Sequence, residues 1–600
     1  MMFRLADPIT DKRFNRVFLF LFICLFLVAP TYYQDNPGGE GLFLPFNSTV
    51  WIAASFLIGL GLLRVVHTGK LVIPSLALPM LTFPVIITLM GALMSVALPV
   101  SWMFRLLAIW GGFLVYFSIN QFRLERRWQD NLMLVLVASS MVQSLISLAH
   151  LYLDHNLWGF IPHSPGIPRG IFQQVNLNAS YVATGLLAAI YCLSLPSFRQ
   201  RHRALRLMII AAVGLNTLVV ATTGSRLGMI AAIAGVLLML AARYRQLWAG
   251  RKALFAALGV VALAAIASLQ IETKTGGLLG GVEKFEKMTQ SSSDPTRNDV
   301  RWMMYDSSLE LMLERPITGH GIGRFQPAWH DKKAEYHQQH PEAAILEPRL
   351  SHPHNELLYW GIEGGLLALA AIFFVAGAVL WRLWQLGWQR GGAYLALLLP
   401  ITLHTQVELP FYISQLHWLL FICLIALIAS HRRRVASFGL SSFGRATGLA
   451  IALVFPVLAT VFFTHSLLAN KANMDFQLAK VKDVSKLEFP STNIYFAENT
   501  AFLHMQTLLR YGLQTGNTNA LNAYIPWAQE HLQYIPDAAV YIGLPLALHK
   551  LGRFEEAYRV MDRAIAVYPK GRLTETGKNA LNDMDARRGR PPRYQLDNSH

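Results

Sequence analysis

The stretch RFNRVFLFLFICLFLVAPTYY, residues 13–33, decides the fold. Between Arg16 and Pro30 it carries no charge. Hydrocarbon offers no water to satisfy backbone groups, so a run of this kind reads as a helix crossing a bilayer. Arg13 and Arg16 precede it, and no small-residue cleavage site stands before Tyr32 and Tyr33. The sequence therefore predicts a retained first span with a cytoplasmic N-terminus.

About thirteen such runs occur, centred near Leu25, Phe56, Ile87, Phe113, Ser139, Leu187, Val213, Gly235, Val261, Ala371, Leu398, Cys423 and Val457. With 54% hydrophobic and only 14% charged residues, the bilayer must be the chain's main solvent. The expected fold class is all-α, a polytopic helical membrane protein. A formal net charge of +17 would suggest nucleic acid in a soluble protein. Here the basic residues sort by loop instead: Arg123, Arg126 and Arg127; Arg199, Arg201, Arg203 and Arg206; Arg243, Arg245, Arg251 and Lys252; Arg382 and Arg390; Arg432, Arg433 and Arg434. These are the even-numbered connections, so the positive-inside rule makes them cytoplasmic and removes the nucleic-acid reading. Cys24, Cys192 and Cys423 lie in separate apolar runs and imply no disulfide framework.

The expected organisation is nine spans over 1–270, a large outside loop over 271–355, four more spans over 356–470 and an outside helical domain over 471–600. In that last part Tyr541, Leu544, Gly552, Phe554, Ala557, Ala564 and Pro569 sit at tetratricopeptide spacing. A plain helical hairpin is the other reading. The tail from Arg587, with Pro591 and Pro592, reads as disordered.

The outside loops are rich in Arg, His, Gln, Asn and aromatic residues yet hold no acidic metal motif, a profile suited to an anionic substrate. Arg226, in Thr-Gly-Ser-Arg at the start of an apolar run, stands where an unpaired charge is costly. Snorkelling to the interface would explain it. So would a bidentate clamp on a lipid-linked diphosphate, helped by the helix amides after Gly224 and Ser225. Arg297 and Arg301 precede the amphipathic run 302–313 and the Gly319-His320-Gly321 turn; each is a second clamp or a solvated loop arginine.

Where the loop meets the next span stands Ser351-His352-Pro353-His354-Asn355-Glu356. An acceptor hydroxyl needs a base, and imidazole suits that work near neutral pH. A metal held by His352, His354 and Glu356 is the alternative. Gln173, Gln174, Asn176 and Asn178 put four amides where a loop returns to the bilayer. Sugar hydroxyls, a phosphate or neighbouring helices would have to satisfy them. His404, Glu408, Pro410, Tyr412 and His417 crowd one short turn, where Glu408 orients a histidine, accepts a hydroxyl proton or sits in a buried ion pair.

In this order the pieces resemble the bacterial O-oligosaccharyltransferases that glycosylate pilins and other secreted proteins, members of the O-antigen ligase and polymerase superfamily. The resemblance covers roughly residues 15–470. It is most specific from Arg301 through Tyr305, Pro316, Gly319-His320-Gly321 and Phe325 to Ser351-His352-Pro353-His354-Asn355. Gln174-Val-Asn176, Ser225-Arg226 and the His404, Glu408, Pro410, Tyr412 stretch look like the other family elements, while Tyr305 stands where the family often has tryptophan. The resemblance implies transfer of a glycan from an undecaprenyl-diphosphate carrier to a Ser or Thr hydroxyl of a pilin or other periplasmic protein. It places the enzyme in the inner membrane with its site facing the periplasm, without cofactor or metal. His354 falls on the essential histidine, and Arg226 and Arg301 on the arginines that bind the diphosphate. Gln174 and Tyr412 would position the donor; Asn176, Arg297, His320, His352, His404 and Glu408 are the remaining binding candidates. A ligase acting on lipid A core, a polysaccharide polymerase and, from another class, a flippase of lipid-linked sugar are the alternatives.

Overall fold

The computed structural model describes residues 8–122, 125–153, 161–281, 300–340, 349–569 and 571–595. Every apolar run marked in the sequence is a helix, and among the described residues ten helices are long and apolar enough to cross a membrane. The chain is an all-α, multi-pass membrane protein. The remaining three runs form shorter helices, Ala77–Leu93, Trp388–His404 and Gln415–Ala429, of 17, 17 and 15 residues. Gln415–Ala429 is surrounded by protein, with nearly every side chain buried.

The chain divides into two compact units. The first comprises Met1–Val85, Leu107–Thr289 and Ala371–Lys471. At its centre lies Val175–Leu193, packed by Arg126–Tyr152, Arg203–Thr222, Arg226–Ala249 and Trp388–His404. Small residues allow this: a Cβ on Gly228 would meet the Ala179 Cβ at 2.4 Å. Buried amides join the helices further. Asn216 accepts from Ser144 Oγ at 2.8 Å and donates to Ser140 Oγ at 2.9 Å. The strand Lys70–Pro74 pairs antiparallel with Arg433–Ser437, Val72 opposite Val435. Nothing in the apolar periodicity announced this pairing.

The second unit comprises Ile86–Leu106, Gln290–Ala370 and Ala472–His600. The helix Glu356–Gln385, which begins in this unit, breaks at Gly365, where φ is 60° and ψ is −156°. A break frees backbone groups that hydrocarbon cannot satisfy, and the Pro316–Gly321 segment satisfies them. His320 N donates to Ile362 O at 2.7 Å, Gly321 N to Glu363 O at 3.2 Å, and Leu366 N to Pro316 O at 2.7 Å. The approach leaves no room for side chains, since a Cβ on Gly365 would stand 2.4 Å from Ile317 O.

In the same unit, the C-terminal part forms helical hairpins, Ala497–Thr515 with Thr518–Tyr534 and Ala538–Lys550 with Phe554–Val567, followed by Arg572–Ala586. Ala557 and Ala564 are fully buried. The loop helix Phe325–Gln339 adds Ala334 to the core made by Ile542, Met561, Ala564 and Leu581. Asp331 and Arg563 form an ion pair across this packing. The stretch expected to be disordered instead folds back as far as residue 595: Asn582 Nδ2 donates to Tyr594 O at 2.7 Å and Tyr594 Oη to Asp562 Oδ1 at 3.0 Å. Arg590 and Arg593 add ion pairs to Asp585 and Asp562, so charged and aromatic contacts together hold this polar, proline-containing stretch.

Candidate functional site

The candidate residues fall into two groups, one in each unit. In the first unit the backbone turns sharply at Gln173, whose φ of 58° is left-handed. Only Gln173 and His354 adopt positive φ among the described non-glycine residues. Such conformations cost of order 1–3 kcal/mol and persist where surrounding contacts enforce them. Gln174 then caps Val175–Leu193 in extended conformation. The loop before it is pinned, because Asn178 Nδ2 donates to Pro168 O at 2.9 Å and Gln143 Oε1 accepts from Ile171 N at 3.1 Å.

Gln174 Nε2 donates to Glu408 Oε1 across 234 positions of sequence. The other carboxylate oxygen, Oε2, lies 3.3 Å from His404 Nε2, and His404 Nδ1 lies 2.8 Å from Ser180 Oγ. Ser180 is also 3.3 Å from His417 Nε2, which shares Leu177 O at 3.0 Å. Ser180, His404 and His417 are fully buried and Glu408 nearly so. The turn that carries Glu408 and Tyr412 is held by Asn47, whose Nδ2 donates to Ile413 O at 2.8 Å and whose Oδ1 accepts from Gln415 N at 2.9 Å.

Arg226 opens the helix Arg226–Ala249. Ser225 caps that helix by accepting from Gly228 N at 3.1 Å, and its own hydroxyl donates to Asn176 Oδ1 at 2.8 Å. Asn176 is thereby tied to the N-terminal turn on which Arg226 stands, where the free amides and helix dipole favour an anion.

In the second unit His352 and His354 meet edge to face with ring centroids 4.5 Å apart. His352 Nδ1 accepts from His354 N at 3.3 Å, and the φ of His354 is 48°. Asn355 Oδ1 then accepts from Leu358 N at 3.0 Å and caps the following helix. Glu356 is buried. One turn on, the Arg105 guanidinium lies 3.7 Å from the Trp360 ring centroid and 4.7 Å from that of Tyr359. It forms an ion pair with Glu363, whose Oε1 accepts from Gly323 N at 3.0 Å. His320 Nε2 lies 2.8 Å from Leu311 O, which ties the Gly-His-Gly turn to the end of Val300–Glu314. Arg301 stands on that helix, Tyr305 packs against the cluster of Met303, Met304 and, from Phe325–Gln339, Trp329, and Arg297 lies outside the described residues.

Sequence reasoning did not single out Ser180, Asn47, Arg105 or Glu363. Ser180 follows Asn176 by one helical turn on the same face, a spacing that could have drawn attention to it. Arg105 and Glu363, as charges inside apolar runs, carried a signal of their own.

Residues 209–373 match the family model described as O-Antigen ligase, and residues 393–576 match that described as Virulence factor membrane-bound polymerase, C-terminal. No curated protein matches the chain. The first match includes Arg226, Arg301 and His354; the second includes His404, Glu408 and Tyr412.

Proposed function

Since the chain belongs to the O-antigen ligase and Wzy polymerase superfamily, we propose that it is an O-oligosaccharyltransferase. It would act in the bacterial inner membrane and move a glycan from undecaprenyl diphosphate to a Ser or Thr hydroxyl of a pilin or other periplasmic protein. The observation that carries this reading is the convergence of Gln174, Glu408 and His404 beside an Asn176–Ser225 contact at the helix end bearing Arg226. Sugar hydroxyls and a diphosphate call for that pairing of amide, carboxylate and cationic groups.

The step is a displacement at the anomeric carbon. The acceptor oxygen forms its bond to that carbon while the bond to the diphosphate oxygen breaks, and the diphosphate keeps the electron pair. His354 takes the acceptor's proton. Arg226 and Arg301 compensate the charge that develops on the leaving diphosphate, where low dielectric makes such compensation effective. Gln174 and Tyr412 orient the donor, with Arg297, His320 and His352 as further binding residues.

A protein acceptor is favoured over lipid A core or a growing polysaccharide by one observation. The loop helix Phe325–Gln339 shares a core with the C-terminal hairpins, which ties the unit that carries His354 to a helical domain of the kind that would hold a protein acceptor. Reconstitution with a lipid-diphosphate glycan and a pilin, followed by intact-mass measurement, tests the reading. A mass gain equal to the glycan is expected. Modification of lipid A core alone would make the protein a ligase, and movement of lipid-linked sugar across liposomes without transfer would make it a flippase.

A further inference from the structure

The polar network around Gln174 has a direction, and that direction says what the site can recognise. Leu177 O can only accept, so His417 Nε2 carries its hydrogen toward it. His417 Nδ1 is then the acceptor for the Ser414 hydroxyl, 2.8 Å away. The hydrogen of Ser180 goes to the nearer acceptor, His404 Nδ1 at 2.8 Å, rather than to Leu177 O at 3.1 Å. His404 therefore bears its hydrogen on Nε2, which faces Glu408 Oε2. The carboxylate accepts on both oxygens, so Gln174 must present its NH2 group to Glu408. Its carbonyl Oε1 is turned the other way, buried and without a hydrogen-bond partner among the described residues.

Asn176 is fixed in the opposite sense. Its Oδ1 accepts from Ser225 Oγ, the cap of the Arg226 helix, which leaves the Nδ2 group of the same amide to act as a donor. Within two residues, about 7 Å of chain at most, the start of Val175–Leu193 thus offers an acceptor at Gln174 and donors at Asn176. A phosphate oxygen is an acceptor only and cannot satisfy Gln174 Oε1. A hydroxyl or amide N–H can.

We propose that Gln174 Oε1 reads one hydrogen-bond donor on the sugar joined directly to the diphosphate, while Asn176 Nδ2 holds a phosphate oxygen. Glu408, His404, Ser180 and His417 are positioning residues that fix the orientation of the Gln174 amide. This rests on the transferase reading given above and adds the chemical group recognised. A buried acceptor left unpaired penalises a ligand lacking the matching donor far more than a missing apolar contact would.

The test uses the full-length protein with undecaprenyl-diphospho-N-acetylglucosamine and analogues in which one sugar hydrogen-bond donor at a time is removed. Wild type is expected to reject one analogue by at least about a hundredfold in kcat/KM. Gln174→Leu and Glu408→Gln should each shrink that ratio at least about tenfold, and Ser180→Ala should shrink it less. If Glu408→Gln does not fold, Gln174→Leu and Ser180→Ala carry the test. Sugar-free undecaprenyl diphosphate separates the two amides. Its inhibition should weaken at least about fivefold in Asn176→Leu and stay within about threefold in Gln174→Leu. A ratio unchanged in the Gln174 variant, no analogue rejected by wild type, or the reverse pattern of inhibition overturns the proposal. Failure of wild type to transfer the intact donor's sugar to a pilin, lipid A core or polysaccharide instead overturns the reading beneath it.

Discussion

Arg105 and Glu363 form an ion pair whose carboxylate is 1% exposed and whose guanidinium is 10% exposed, with the Trp360 ring against the guanidinium. Removing Arg105 leaves the Glu363 carboxylate buried without its ion-pair partner, and removing Glu363 takes from Arg105 the carboxylate it pairs with. Arg105→Ala or Glu363→Ala should each cost about 3–5 kcal/mol, whereas Arg105→Met with Glu363→Met should cost much less than the sum. Thermal unfolding in detergent checks this, and equal, additive losses would show that the pairing does not matter.

The break at Gly365 makes a second expectation. Alanine there meets both an unfavourable positive φ and the Ile317 carbonyl at 2.4 Å, so Gly365→Ala should destabilise by more than about 1 kcal/mol. Gly377 lies on the same helix with nothing within 4 Å of a Cβ, and Gly377→Ala should be neutral or slightly stabilising. Comparable melting shifts for both variants would contradict the strained-turn account.

Loss of a general base costs roughly 10²–10⁴-fold, and loss of a group that stabilises developing charge roughly 10²–10³-fold. His354→Ala and Arg226→Ala are therefore expected to abolish detectable glycan transfer while membrane insertion stays normal. Either variant that glycosylates at near wild-type rate removes its residue from the mechanism.

Acid should loosen the packing of the loop helix on the C-terminal hairpin. Burial holds His330 down to about 3 from an ordinary 6.5; the Gln326 carbonyl opposes this, and Lys333, Arg349 and Arg563 reinforce it. A folded-state value below the unfolded one means the unfolded chain binds more protons. The stability is then complete above about pH 6.5 and falls as pH drops toward 3, by up to about 1.4 kcal/mol per pH unit. His330→Phe should flatten the dependence of the unfolding midpoint between pH 7 and 5, and an unchanged slope would rule out His330 as its source.

The spans were legible because lipid imposes a simple rule on composition, and each run from Leu25 to Val457 marks a helix. The Gln174 to Glu408 contact was not. Each residue stood out as polar near an interface, but joining them across 234 positions depends on packing that periodicity does not encode. The same limit hid the Arg105 to Glu363 pair. Gly365 was invisible for a different reason: in an apolar run the glycine pair Gly364-Gly365 reads as small residues for close packing, and only the nearby Pro316–Gly321 backbone makes it a break.

The Lys70–Pro74 strand finds its partner only about 360 residues later. At ordinary rates of chain synthesis, roughly 5–20 residues per second, it must wait on the order of 20–70 s after leaving the ribosome before Arg433–Ser437 exists. For that interval its hydrogen-bonding edge is open to other chains, and Lys70 and Pro74 at its two ends are residue types that discourage wrong pairing. Closure of this two-stranded ribbon is thus a late checkpoint in biogenesis, reached only once nearly all the membrane helices have been made.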